Sequence, residues 1–193
     1  LYIACDGTSG KDSNNVSKVK QTREIIDNEI NWDCKIEKLY SDKNHGCKLA
    51  VSKAISWLFK YEDEGIILED DCVPHLDFFY FSSIMLQKYR NDSRIWSISA
   101  NNNQESKKHN NASYYFSRYS HCWGWATWKR CWQYYDHEIK DWPIIKGGDI
   151  LKDTLDNKKQ IKFWIKIFDD LYYNSKPDTC LLYTSDAADD IPR

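Results

Sequence analysis

The sequence predicts an α/β fold, a layered arrangement with a mostly parallel sheet. Three observations predict it. Short β-rich runs alternate with segments of helical period over residues 1–99. The 193 residues are 41% hydrophobic and 29% charged, the make-up of an ordinary globular chain of about one domain. The apolar run 65–68 is short and bounded by polar residues, as a strand buried on both faces is.

Taken in order, Leu1-Tyr2-Ile3-Ala4-Cys5 reads as a strand that stops at Asp6-Gly7-Thr8-Ser9-Gly10. Val16, Val19, Arg23, Ile26 and Ile30 then follow a helical period, with Arg23 as its weak member and Ser13 or Asn14 as its cap. Residues 34–40 alternate weakly through Ile36, Lys38 and Tyr40 and predict a second strand. The polar loop 41–46 leads into a helix over 47–61, with Ala50, Val51, Ala54, Ile55, Leu58 and Phe59 on one face. The strand 65–68 ends abruptly in Glu69-Asp70-Asp71. Pro74 breaks the chain, and Phe78, Phe81, Met85 and Tyr89 mark another helix. Residues 95–99 are strand-like, and 101–113 form a polar, Asn-rich loop expected to be mobile. Tyr114-Tyr115-Phe116 predicts a short strand. Trp125, Trp128, Trp132 and Tyr135 fall at helical spacing, which predicts a helix with its indoles on the core. A last helix is expected over about 159–173.

Residues 180–193 carry no such period and resemble translated adapter or vector sequence, so the domain is taken as 1–179 and the rest as a non-native tail. The formal net charge of −2 forces no basic face, which argues against nucleic acid as a partner. No apolar run approaches the ~18 residues of a membrane span, so no transmembrane segment is expected. Seven cysteines at wide spacing, with no C-x-x-C, argue against structural zinc and for reduced thiols in a cytoplasm. The inner face of the membrane is the alternative location. The chain does not open with Met, and a fragment is expected.

Glu69-Asp70-Asp71 is the strongest local signal for chemistry. Ligands of open α/β sheets bind beyond the carboxyl ends of the strands, where this triplet falls. Three adjacent carboxylates repel one another unless a cation or solvent relieves them. In extended backbone, Glu69 and Asp71 point one way and Asp70 the other, which favours Asp71 as direct ligand of Mg²⁺ or Mn²⁺ and Glu69 as the second. A solvated acidic turn that caps the next helix fits the same letters. Asp6 lies on the same predicted rim, where a carboxylate can accept from a base or ribose, though Asp6-Gly7 is also an ordinary turn. The loop before the second helix, with Lys48, can meet an anion, or Asn44 or Asp42 can simply cap that helix. In Ser120-His121-Cys122-Trp123-Gly124-Trp125, Gly124 permits close approach of a ligand or backbone. His121 can bind, act as base or position. Trp123 is the ligand-facing candidate, and Cys122 and Cys131 are expected to be small core residues. Nine Trp and thirteen Tyr supply flat faces that suit sugar rings as well as cores.

Together, Ile3-Ala4-Cys5-Asp6-Gly7, Asn44-His45-Gly46-Cys47-Lys48, the run from Gly65 through Glu69-Asp70-Asp71-Cys72-Val73-Pro74, Tyr115-Phe116-Ser117-Arg118-Tyr119 and Trp123-Gly124-Trp125-Ala126-Thr127-Trp128 resemble one family in the same order. The chain resembles bacterial nucleotide-diphospho-sugar glycosyltransferases of the GT-A (Rossmann-like) fold, related to the large inverting family. The resemblance spans about residues 1–179. It implies metal-assisted, inverting transfer of a sugar from a nucleotide-diphosphate donor to a glycan or other hydroxyl acceptor. Glu69-Asp70-Asp71 would then be a D-x-D-like motif, with Asp71 and Glu69 on a divalent metal, Mn²⁺ or Mg²⁺. Asp6, Gly7, Lys48 and Asp70 would lie on the nucleotide-sugar side, and His121, Trp123 and Gly124 on the sugar or acceptor side. Relative to the family, the fold is expected to be truncated at both ends and the fragment inactive. The catalytic base is unassigned: Asp136 and Asp141 are available carboxylates, and nothing in the spacing selects either. Two other readings use the same features. Surface aromatics suit a non-catalytic carbohydrate-binding module, and carboxylates with metal on an α/β sheet suit a nucleotidyltransferase.

Overall fold

The computed structural model describes residues 1–10, 13–99, 112–118, 121–155 and 157–175. The predicted polar loop lies almost wholly outside these residues, as does the predicted non-native tail. The chain divides into two compact units, with the division between Leu58 and Phe59.

In the first unit, β1 (Tyr2–Cys5) pairs in parallel with β2 (Glu37–Tyr40), Tyr2 opposite Glu37 and Cys5 opposite Tyr40. Between them runs α1 (Ser13–Glu29), which has no buried residue. Its apolar Val16 and Ile25 are exposed, so polar contacts fix the helix. Arg23, the weak member of the apolar stripe, is the anchor. It donates to the carbonyls of Ser41 at 2.6 Å and Asp6 at 3.3 Å, and its guanidinium lies 4.9 Å from the centre of the Tyr40 ring. Asp27 accepts from Lys38 and from the Tyr40 hydroxyl. The next helix, α2 (Cys47–Tyr61), spans the predicted residues and begins in this unit, where the Tyr2 ring meets Trp57 edge-on at 5.1 Å.

The second unit holds β3 (Glu64–Ile67), α3 (Leu76–Tyr89), β4 (Ser97–Ser99) and β5 (Trp125–Trp128). Four helices follow: α4 (Lys129–Trp132), α5 (Trp142–Gly147), α6 (Ile150–Thr154) and α7 (Lys158–Asn174). β5 lies between β3 and β4 and runs antiparallel to both. Among the described residues the sheets are therefore one parallel pair and one antiparallel triplet, and the expectation of a mostly parallel sheet is not met. A parallel pairing needs a crossover, usually helical, and no described helix lies between β4 and β5.

The helix predicted from the Trp spacing is also corrected. Trp125 and Trp128 are on β5, and only Trp132 is on the short helix after it. All four residues of β5 are buried, so the strand is covered on both faces and shows no alternation. Tyr114-Tyr115-Phe116 forms no strand. Its outer rings pack instead with Tyr89 of α3, Tyr114 at 6.4 Å and Phe116 at 5.9 Å.

The core of this unit joins Met85 and Leu86 of α3, Ile98, Ala126, Trp128 and Cys131. The Trp128 indole N–H donates to the Leu86 carbonyl at 3.2 Å, so the largest buried side chain leaves no unpaired donor. Arg130 closes the end of α3. Its guanidinium donates to the carbonyls of Tyr89, Arg90, Asp92 and Ile95 at 2.8–3.1 Å and stacks over Trp128 at 4.4 Å. A second aromatic group forms where Trp142 and Trp164 flank Phe168 at 4.8 and 5.8 Å. α7 is capped by the Asn157 side chain, which accepts from the N–H groups of Lys159 and Gln160.

Candidate functional site

Two carboxylate turns carry the predicted site residues, one in each unit. The first follows β1. Asp6 Oδ1 accepts from the Gly7 N–H at 2.9 Å, and Oδ2 accepts from the N–H groups of His45 at 2.8 Å and Gly46 at 3.2 Å. The His45 ring adds Nδ1 at 3.1 Å. The carboxylate thus ties the end of β1 to the residues that lead into α2, where Gly46 has φ +77°. Burial raises the Asp6 carboxyl, but the hydrogen bonds from His45, Gly7 and Gly46 outweigh it and hold the pKa below 3.8. Gly7 is buried, and a Cβ there would stand 2.6 Å from backbone atoms of Lys43. Only glycine fits this approach. Lys48 lies half-buried in the first turn of α2. Neither Asn44 nor Asp42 caps that helix by side chain in the pattern predicted; Asn44 donates instead to the Gly7 carbonyl at 3.1 Å.

The second turn follows β3. Cys72 N–H donates to the Glu69 carbonyl at 3.0 Å, which closes Glu69-Asp70-Asp71-Cys72 into a β-turn. The extended backbone assumed for an alternation of Glu69 and Asp71 against Asp70 is therefore absent. Asp70 and Asp71 are exposed, and Glu69 is half-buried. Burial raises the Glu69 carboxyl above its usual 4.5, and the charges of Asp71 and Asp70 raise it further. Negative charge here is concentrated on three adjacent residues.

The β3–β5 pairing sets the second distinctive segment against this turn. Ile67 pairs with Trp125, and just beyond the ladder Gly124 has φ +72°. A Cβ on Gly124 would stand 3.4 Å from side-chain atoms of both Leu68 and Phe78. A left-handed glycine here turns the chain and leaves the space beside Leu68 and Phe78 free of a side chain. Trp123 stands 54% exposed beside it, whereas Trp125, Trp128 and Trp132 are buried. His121 is half-buried, and burial lowers its pKa, which favours the neutral ring at neutral pH.

The turns also hold residues not predicted for them. His45 donates through its backbone and presents its ring to Asp6. Cys122 is half-buried rather than core, and burial together with Glu69, Cys72 and Asp71 pushes its thiol up to about 11. Only the closeness of two cysteines to a carboxylate turn in the fold reveals that group, and no spacing in the sequence signals it. Asp136 accepts from the N–H groups of Glu138 and Lys140, both at 2.9 Å, in a local turn. Asp141 stands at the start of α5, its carbonyl accepting from Ile144 and Ile145.

Among the described residues, no three His, Cys, Asp or Glu side chains form a group able to hold a metal ion by themselves. No helix among them is long and apolar enough to cross a membrane. None of the six described cysteines is in a disulfide. No family model matches the chain, and no curated protein or solved structure matches it.

Proposed function

We propose that the chain is a glycosyltransferase that moves a sugar from a nucleotide-diphosphate donor to a hydroxyl acceptor, with inversion at the anomeric carbon. The observation that carries this reading is the β3–β5 pairing. With Ile67 paired to Trp125, the acidic turn 69–72 and the Trp123-Gly124 turn leave the same end of the ladder, and the charges of Glu69 and Asp71 reach the Cys122 thiol. A concentration of carboxylates beside an exposed indole suits a ligand with a charged diphosphate, a cation and a flat sugar ring.

The donor set supports a hard divalent cation held jointly with substrate. Glu69 and Asp71 offer oxygens; burial first, and then the charges of Asp71 and Asp70, raise the Glu69 pKa, and a cation would offset those charges. Two carboxylates make a poor cage alone, so phosphate oxygens and water would complete the shell. Mn²⁺ or Mg²⁺ bound there would offset the charge that develops on the leaving diphosphate. In the transfer itself, the acceptor oxygen bonds to the anomeric carbon and gives up its proton to a base, while the carbon–oxygen bond to the diphosphate breaks and its electron pair leaves with the diphosphate. Neutral His121 and exposed Trp123 are proposed on the sugar or acceptor side. Asp70 is proposed on the nucleotide-sugar side.

Mn²⁺ titration with and without a nucleoside diphosphate, on wild type and Asp71→Asn, tests this reading. The nucleotide should tighten Mn²⁺ binding in wild type, and the variant should lose at least about tenfold of that affinity. Equal affinity in the two proteins would make the triplet a solvated acidic turn. Metal-independent binding of free glycan would favour a carbohydrate-binding module, and preference for a nucleoside triphosphate a nucleotidyltransferase.

A further inference from the structure

We infer that α3 is a dimerisation helix, and that a second copy of this chain packs antiparallel along its outer face. α3 (Leu76–Tyr89) buries Phe78, Ser82, Met85 and Leu86 on one side. At ~100° per residue, Leu76, Tyr80 and Ile84 fall within about 80° of one another on the side opposite. They are 80%, 72% and 39% exposed, and Val73, just before the helix, is 97% exposed. Phe79 extends the stripe on one edge at 39% exposure. A helix apolar on both sides is normally covered on both sides.

Charge placement identifies the occupant. Asp77 and Lys88 lie on the same flank of that stripe, one at each end of the helix. Antiparallel helices that share a face bring equivalent flanks together. A two-fold axis at the level of Ser82 and Ser83 therefore sets Asp77 of one copy beside Lys88 of the other, twice over, while Tyr80 of each meets Ile84 of its mate. That is the self-complementarity of an isologous interface. Both groups are in position for it. The Asp77 side chain is 90% exposed, with the exposed His75 ring 3.3 Å from it, and the Lys88 ammonium is held on its flank by the Tyr114 hydroxyl at 2.6 Å. A parallel pair turns these equivalent flanks to opposite sides of the seam, so Asp77 of one copy does not meet Lys88 of the other. One short helix pair is a small interface, so association is expected at micromolar concentration.

Sedimentation equilibrium of the whole chain across a concentration series tests the inference. The expected result is a reversible shift from 22.9 kDa to twice that mass. Tyr80→Glu, on the solvent side of α3, should abolish it while circular dichroism and thermal melting stay as in wild type. Asp77→Lys should weaken the dimer roughly tenfold by setting like charges together. Adding Lys88→Asp to that variant should restore it, because the swapped pair is complementary again. A monomer at every concentration overturns the proposal. So does a dimer indifferent to both the Tyr80 and the Asp77 changes, and so does a monomer that binds anionic lipid vesicles through this stripe. The outcome is independent of the Mn²⁺ titration, since no α3 stripe residue lies in the acidic turn.

Discussion

The Asp6 turn and the Glu69–Cys72 turn are both carboxylates at the carboxyl end of a strand, yet they do opposite things with their charge. Asp6 accepts three backbone N–H groups and meets a histidine ring, and its pKa falls. Glu69 is desolvated beside two more carboxylates, and its pKa rises. The first charge is part of what holds the chain in place. The second is a cost to the fold, and it suits a turn whose partner arrives from outside. The contrast separates a structural carboxylate from a candidate ligand-binding one without reference to any other protein.

The most disruptive way to break the first turn is Gly7→Ala. Its methyl would stand 2.6 Å from the Lys43 backbone, which has no flexible end to move aside. A loss of about 3 kcal/mol is expected in urea unfolding, and a wild-type midpoint would show that the loop gives way. Asp6→Ala comes next. It strands the N–H groups of Gly7, His45 and Gly46 and should cost about 1–2 kcal/mol. The sign with pH follows from the lowered pKa. The stabilisation is complete above the unfolded value of 3.8 and is lost as pH falls through the lower folded value. Wild type and variant should therefore converge in melting temperature in acid and separate above it.

The smallest effect has the opposite sign and sharpens the comparison most. Because the Glu69 pKa is raised, its charge disfavours the folded state at neutral pH. Glu69→Gln should raise the melting temperature slightly, by about 1–2 °C, with the gain fading as pH falls toward 4.5. A destabilised variant would place Glu69 among the structural carboxylates after all.

These two turns also mark how far the sequence could be read. The end of β1 at Cys5, the helix over 47–61 and the acidic stop after β3 were legible because period and breakers agreed locally. What Asp6 does was not legible, since its partners lie 39 and 40 residues away. The direction of the sheet was missed for a related reason. β5 is covered on both faces, so it lost the alternation that would have announced a strand. Its Trp125 and Trp128, followed by Trp132 on a true helix, imitated a helical stripe. Arg23 shows the converse, since a break in an apolar pattern marked the residue that fastens α1 to the strand ends.

The order β3-β5-β4 has a consequence for how the chain is made. The middle strand of that sheet is the last of the three to leave a ribosome. Until it emerges, β3 and β4 have no described neighbour to pair with, and their edges stay open. Arg130 emerges later still, so the carbonyls at the end of α3 wait for a side chain 35–41 residues downstream. A nascent chain halted before residue 125 holds the acidic turn and α3 with nothing inserted between its strands, a form with open edges for a chaperone to bind. The strand that completes the candidate site is the same one that ends this exposure, so in synthesis the site and the sheet are finished in a single event.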